Sequence, residues 1–265
     1  MNTATSSLKH ESALTIQCRV VYALILREVK SRYGRRTLGF LWALLEPLLF
    51  ISLFIGIFHL MGRDSQSGIA TPLFFVTGFS PFFMFRDIYP QVSACAKGNI
   101  SLLMFPQVSR TDVLLATVIL TSLISLAVLG VLLLACYSVG YEFQIQRPLE
   151  LLGSLGLLIA LGTGLGLVIG ALTIRYEFIS SIAGAFLGRP LFITSGLFFT
   201  ADVIPAKARE YILYNPILHC IESIRSAMFA SFESRYVDLP YVIYFALILN
   251  AFGLMLLGVF DRQRR

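Results

Sequence analysis

The stretch LFFTADVIPAKAREYILYNPILHCIESIRSAMF, Leu197–Phe229, breaks the pattern of its surroundings. A long apolar run stops there. Three acids, three bases and two prolines follow, with large apolar residues threaded between them. A lipid-facing span does not tolerate so many charges, and a plain outer surface loop stays open as the alternative to the reading that follows. The segment reads as two short helices. Pro205 begins the first. Tyr214, Asn215 and Pro216 make a turn, because the residue before a proline disfavours helix. Ile217, Ile221 and Ile224 then recur at helical spacing on one face, while Glu222 and Arg225 occupy another.

The rest of the chain says where this segment sits. Of 265 residues, 57% are hydrophobic and only 14% charged, and the mean hydropathy is +0.79. Soluble domains carry about 25% charged residues. The deficit is too large for one buried core, so an all-α integral membrane protein is expected. Its apolar runs are continuous over about 20 residues, the length of a helical span, and do not alternate as barrel strands do. The four cysteines (Cys18, Cys95, Cys136, Cys220) are scattered without a CxxC pair, so neither a zinc site nor a disulfide framework is expected. No small-residue cleavage site follows the first long apolar run, so no removable signal is expected.

Working outward, residues 13–36 read as a helix. Ile16, Val20 and Leu24 recur on one face, and Arg27, Lys30, Arg32, Arg35 and Arg36 crowd the far end. A basic, partly amphipathic helix of this kind suits a membrane surface rich in anionic headgroups. Six spans are expected after it, at 38–61, 69–88, 113–138, 149–173, 178–200 and 240–260. The second is interrupted by Pro81 and the fifth by Pro190. Seven bases precede Leu38, Lys97 and Arg110 lie between spans two and three, and Arg262, Arg264 and Arg265 follow the last span. Bases favour the cytoplasmic side, so both termini are placed there, with residues 201–239 on the opposite side. The chain reads as one domain: a cytoplasmic tail and interfacial helix at 1–37, then six spans at 38–260.

Several residues invite a function. Trp42 lies near the start of span one, where aromatics favour the interface. Glu46 and Pro47 lie two turns inside it, and a carboxylate there must face protein or water. Arg189 lies near the middle of span five beside Pro190, where a cation needs a partner or an aqueous path; Glu46 is one such partner. Sugars stack on aromatic faces, and Phe79, Phe82, Phe83, Phe85 and Tyr89 are candidates, with core or lipid contact as the alternative. The inner loop ACAKGNISLLMFPQVSRTD, Ala94–Asp112, could form a short docking helix or a plain connector. The run GTGLGLVIG, Gly162–Gly170, follows no strand and is followed by no Lys-Ser or Lys-Thr. Small residues there let helices approach closely. No GxxxxGK[ST] occurs, so the chain is not expected to bind ATP through a P-loop. No catalytic constellation appears either.

Three stretches carry a resemblance. REVKSRYGRRTLGFLWALLEPL and NISLLMFPQVSRTDVLL resemble segments of ABC-2 type transport permeases of the polysaccharide-export branch. SGLFFTADVIPAKAREYILYNPILHCIESIRSAMF resembles that family's signature between spans five and six: Ser-Gly-x-Phe-Phe, Ile-Pro, then Asn-Pro-x-x-His-x-x-Glu-x-x-Arg. The resemblance spans residues 27 to 228 and is nearest to permeases of capsular polysaccharide export.

It implies a homodimer with the path between two copies. It implies a separate ATP-binding subunit, two copies per dimer, with no cofactor on this chain and ATP and Mg on that subunit. The ATPase would be coupled through Lys97, Asn99, Leu103, Phe105 and Pro106, and more loosely through Arg175 and Glu177. The path would include Arg36, Trp42, Glu46, Phe82 and Phe83, and also Arg189, which matches no motif position of the family and is read from its place in span five. The segment 201–239 would re-enter the membrane from outside as the outer gate, with Pro205, Tyr214, Asn215, Pro216, His219, Glu222 and Arg225. The cargo would be a lipid-linked, acidic capsular glycan, taken from the inner leaflet of the inner membrane towards a periplasm-spanning partner. Two rivals stay open. One is an ABC-2 exporter of another cargo, such as O-antigen, teichoic acid or a drug. The other is a membrane enzyme acting on a lipid-linked glycan.

Overall fold

The computed structural model describes residues 13–33, 38–62, 65–98 and 109–262. The described chain is almost wholly helical. In order it forms α1 (Ala13–Tyr33), α2 (Leu38–Leu60), the two-residue strands β1 (Ser65–Gln66) and β2 (Ile69–Ala70), α3 (Thr71–Gly98), α4 (Arg110–Ser138), α5 (Pro148–Arg175), α6 (Phe178–Thr194), α7 (Ala206–Ile212), α8 (Pro216–Met228) and α9 (Leu239–Arg262). Each expected span is occupied by a helix. Among the described residues, α4, α5 and α9 are long and apolar enough to cross a membrane by length and composition. The protein is an all-α membrane protein.

The reason α3 falls outside that set lies in its position. It is the central helix, packed against α2, α4, α5 and α8. Phe74, Phe75, Phe79, Ile88 and Val92 on it are fully buried. A helix surrounded by protein can carry Arg86 and Asp87, whereas one facing lipid cannot. The expected end of this span at residue 88 is ten residues short, because α3 continues through both Pro81 and Pro90. α6 likewise continues through Pro190. Neighbouring helices compensate for the missing N–H of such prolines inside membrane bundles. α6 stops at Thr194, short of the expected residue 200, where Gly196 turns the chain with φ of +72°.

Packing follows the small residues and the aromatics. Gly162, Gly166 and Gly170 of α5 face Ile88, Tyr89, Val92, Ser93 and Ala96 of α3. On another face of α5, Gly164 meets Asn250 of α9, and Gly253 of α9 meets Leu167. Asn250 closes this seam by donating to the carbonyls of Ala160 at 2.9 Å and Ala246 at 2.8 Å. A phenylalanine cluster joins α2, α3 and α6. Phe54 stacks on Phe79 at 5.3 Å, and Phe192 meets Phe79 at 5.8 Å and Phe50 at 5.9 Å.

Helix α1 is docked on the bundle. Leu24 packs with Val113 and Ala116 of α4, and Val20, Val21 and Ile25 lie beside them. Ser109 caps α4 in a capping box with Asp112, and Asp112 also accepts from Gln17 of α1 at 3.1 Å. That end of the bundle carries α1, the start of α4 and the end of α5. The β1–β2 hairpin, the 139–147 loop and the segment 195–238 meet at the opposite end. There Ser67 bonds Thr200 at 3.0 Å, Ser231 donates to the Gly68 carbonyl at 3.0 Å, and Gln146 donates to the Ala227 carbonyl at 2.9 Å.

Candidate functional site

The segment Leu197–Phe229 gathers buried polar side chains: Asn215, His219, Glu222, Ser223, Arg225 and Ser226. Pro205 stands immediately before α7, and Tyr214 and Asn215 form the turn into α8, whose first residue is Pro216. The two short helices therefore lie where the sequence placed them. Their environments differ. None of α7's residues is buried, whereas every residue of α8 from Ile217 to Met228 is buried. The expectation of one apolar and one polar face on α8 needs correcting: Glu222 and Arg225 are as buried as Ile221 and Ile224. Their polar partners arrive from segments far away in the chain, which no local pattern reveals.

Four polar side chains run along α8 at helical spacing, and each ties down a different segment. Asn215 caps the helix by accepting from the Ile217 amide at 3.0 Å, and its amide donates to Thr194 at 2.9 Å and Ser195 at 3.0 Å at the end of α6. His219 Nδ1 accepts from the Asp238 amide at 3.1 Å. Nε2 must then carry the proton, and it donates to the Leu213 carbonyl at 2.8 Å. Glu222 accepts from the Ala201 amide at 2.5 Å and from the Ser234 hydroxyl. Arg225 donates to the carbonyls of Gly196 at 2.7 Å and Phe74 at 3.2 Å, and lies 3.7 Å from the centre of the Phe74 ring.

Arg225 Nε has no partner among the described residues, and the cation is held by carbonyl oxygens and a π face. A buried charge costs several kcal/mol unless such groups replace its water. The motif Asn-Pro-x-x-His-x-x-Glu-x-x-Arg is thus an internal latch that fixes α8 to α3, α6 and the chain leading into α9. Between Glu222 and Arg225, Ser223 donates to Glu150 of α5 at 3.0 Å and accepts from Ser154 at 2.7 Å.

A second charged group lies in a half-exposed cleft between α2, α3 and α4. Glu46 of α2 accepts from Arg86 of α3 at 2.8 Å, and Arg86 also bonds Asp87 at 3.1 Å. The guanidinium lies 4.3 Å from the centre of the Phe83 ring. The Glu46 and Arg86 side chains are 43% and 35% exposed, in a cleft that also includes Ser80 of α3 and Ser125 of α4. Arg86 and Asp87 escaped the sequence reading, although a charge inside an apolar run was the very signal that singled out Glu46 and Arg189. The suggested pairing of Glu46 with Arg189 is not what the structure shows: Glu46 pairs with Arg86, and Arg189 is exposed on α6.

The other candidates are dispersed. Trp42 is exposed near the start of α2. Phe82 and Phe83, with Phe79, Phe85 and Tyr89, are buried inside the chain rather than exposed on a path. The rings fill the space between α3 and its neighbours, where Phe82 meets Phe192 at 5.6 Å and Phe83 meets Phe50 at 5.9 Å. Arg175 ends α5 and Glu177 precedes α6, both exposed. Lys97 lies in the last turn of α3 at the same bundle end. Arg36, Asn99, Leu103, Phe105 and Pro106 lie outside the described residues, as does the expected docking helix.

A bundle of apolar helices, with charges lodged at depth and a polar latch at one end, defines a polytopic membrane protein. Residues 19–229 match the ABC-2 type transporter family, and the chain belongs to that family. It is a transport permease rather than an enzyme. It is 32% identical over 245 residues to the polysialic acid transport protein KpsM of Escherichia coli, covering 92% of this chain and 95% of that one. It is 32% identical over 259 residues to the capsule polysaccharide export inner-membrane protein CtrC of Neisseria meningitidis serogroup B, covering 94% of each. With BexB of Haemophilus influenzae, a capsule polysaccharide export inner-membrane protein, it shares 27% identity over 256 residues and 95% of each chain.

Proposed function

We propose that the chain is the inner-membrane permease of an ATP-driven exporter that moves a lipid-linked capsular polysaccharide out of the cytoplasm. The carrying observation is near end-to-end similarity to capsule export proteins: 32% identity over 94% of both chains for one of them. The match includes the segment that forms the latch. In this reading α2, α3, α4, α5, α6 and α9 are the six spans, and both termini are cytoplasmic. The basic residues beside α1 and the ends of α3 and α9 support that orientation. Residues 201–239 then form the outer gate, with α7 and α8 as its re-entrant pair.

A separate ATP-binding subunit docks at the cytoplasmic end, on residues 95–110 and on Arg175 and Glu177. It carries ATP and Mg, and its closure drives the permease. Two copies of the permease enclose the path. Support for the dimer comes from α6, where Gly184 and Gly188 are four residues apart with open space at both positions, a spacing that permits close helix approach. Leu53 and Ile57 of α2 and Ile182 and Ile193 of α6 are exposed apolar residues on the same two helices. Arg36, Trp42, Glu46 and Arg189 line the path from the cytoplasmic side. A periplasm-spanning partner receives the polymer.

The test is gentle extraction of the C-terminally tagged permease from its native host. A P-loop ATPase in equal copy number is expected, together with cytoplasmic accumulation of polymer when the permease is deleted. Phe105→Asp should abolish both co-purification and export while the protein still inserts. A folded permease that brings down no ATPase, in a strain whose capsule is unaffected by the deletion, would overturn the reading.

A further inference from the structure

We propose that a cleft at the latch end of the bundle, between the 139–147 loop and the C-terminal end of α8, is a saccharide-binding site; the proposal rests on the glycan-export reading. The cleft holds about 590 Å³, within the range of small-ligand sites. Its walls mix two kinds of group. Tyr137, Phe143 and Phe229 supply aromatic rings, and Glu142, Gln144 and Gln146 supply carboxylate and carboxamide groups, with Ser231 at one edge. A sugar residue requires both kinds. Its C–H face packs on a ring, and its hydroxyls, each a donor and an acceptor, pair with planar groups that accept or donate. Gln146 donates to Gln144 at 3.5 Å, which leaves the other carboxamide sites and the Glu142 carboxylate to pair with hydroxyls, whereas an acyl chain offers them no partner. Tyr137 is 61% exposed and so is available for contact.

The walls of the cleft are held in place. Both the Gln146 and the Arg147 amides donate to the Ala227 carbonyl, at 2.9 and 3.0 Å. Ser231 is tied to the β1–β2 turn through the Gly68 carbonyl. Tyr137 and Phe143 meet edge to face at 6.4 Å. Arg147, at the rim, is engaged by Glu150 at 3.3 Å and Glu233 at 3.5 Å. Glu142 leaves the cleft itself with a negative charge. The ligand is therefore the uncharged, hydroxyl-bearing part of a glycan rather than its carboxylates. Placed at the end of the bundle that carries α7 and α8, the cleft would hold the emerging polymer and oppose its backsliding.

The experiment uses the full chain in lipid nanodiscs. The probe is the short oligosaccharide fraction released by mild acid from the host's own capsule, observed by saturation-transfer NMR. Wild type should bind. Phe143→Ala should weaken binding at least about tenfold, on the scale of one lost aromatic contact. Gln144→Ala, on an exposed side chain, should weaken it several-fold with an unchanged elution profile. Phe143→Tyr should restore it. Absence of wild-type binding, or equal binding by the Phe143→Ala and Gln144→Ala proteins, overturns the cleft. Unchanged capsule in the permease deletion strain, with wild-type binding intact and lost in the variants, would sink the export reading and leave the cleft standing.

Discussion

The guanidinium of Arg225 occupies the space that a side chain at Gly78 would need: a Cβ added at Gly78 would stand 2.5 Å from Nη2. The bare backbone of α3 lets the cation reach the Phe74 carbonyl one turn earlier. Gly78→Ala should therefore destabilise the protein by about 1–3 kcal/mol, the usual cost of overpacking. Arg225→Met should be at least as damaging, because the Gly196 carbonyl loses its partner, at about 1–3 kcal/mol for each stranded group. At about 2–4 °C per kcal/mol for a chain of this size, both losses are visible as lower midpoints when detergent-solubilised protein is heated and passed over a sizing column. Arg225→Lys should fall between them and wild type, since a point ammonium cannot span both carbonyls.

Glu46 and Arg86 form the principal charged link described between α2 and α3. A half-exposed pair contributes only about 0.2–1 kcal/mol in water. Removing one member at membrane depth costs more, because the survivor keeps its charge. Glu46→Gln and Arg86→Gln alone should each reduce capsule at the cell surface several-fold. The exchanged protein Glu46→Arg with Arg86→Glu should recover most of it. Asp87, bonded to the same guanidinium at 3.1 Å, sets a limit on that recovery, because the exchange places a carboxylate beside it. Surface glycan quantified in complemented cells decides the matter; equal losses in the single and exchanged proteins would show that the charges act separately.

The positions of the helices were legible in the sequence and the roles of the polar residues were not. Apolar runs placed α2, α4, α5 and α9 to within about three residues, because lipid imposes composition on a span directly. α3 was cut ten residues short. Pro81, Pro90, Arg86 and Asp87 are breaks by local rules, and only its central position makes them tolerable. Arg86 and Glu46 are 40 residues apart, so neither announces the other. Arg225 was assigned to a polar face, since amphipathic spacing ordinarily means one wet side. Its partners, Gly196 and Phe74, lie 29 and 151 residues away. The turn at Tyr214–Pro216 was readable because proline acts on its immediate neighbour.

The glycines of α5 allow a comparison within one helix. A Cβ at Gly166 would lie 2.6 Å from the Tyr89 carbonyl oxygen and 2.7 Å from Val92 Cβ. Gly156, on the same helix, has nothing within 4 Å. Gly166→Ala should push α3 from α5 and cost about 1–3 kcal/mol. Gly156→Ala should be neutral or stabilise by up to about 1 kcal/mol, since alanine is the better helix former. Melting midpoints measured side by side should move in opposite directions, or Gly156→Ala should stay at the wild-type value. A matching fall in both proteins would show that backbone flexibility, not close approach, is what these glycines supply.

The two short helices α7 and α8 should differ in mobility, because only one is held by the latch. α8 is buried throughout and tied by Asn215, His219, Glu222 and Arg225 to four other segments. α7 has no buried residue, and the Arg209 side chain over the Tyr236 ring at 4.2 Å is its described contact with the chain leading into α9. The residues that flank it, Pro205 and Tyr214, are both exposed, although the Tyr214 carbonyl accepts from the Tyr241 hydroxyl at 2.9 Å. Local opening free energy follows buried contact, so α7 amides should exchange at least about a hundredfold faster than those of α8 in hydrogen-exchange mass spectrometry. Glu222→Gln weakens the hold on Ala201 and Ser234, and should raise exchange in α8 and in residues 231–238 together while leaving α5 unchanged. If α8 exchanges as fast as α7 in the wild-type protein, the latch does not fix it, and the two helices open as one body.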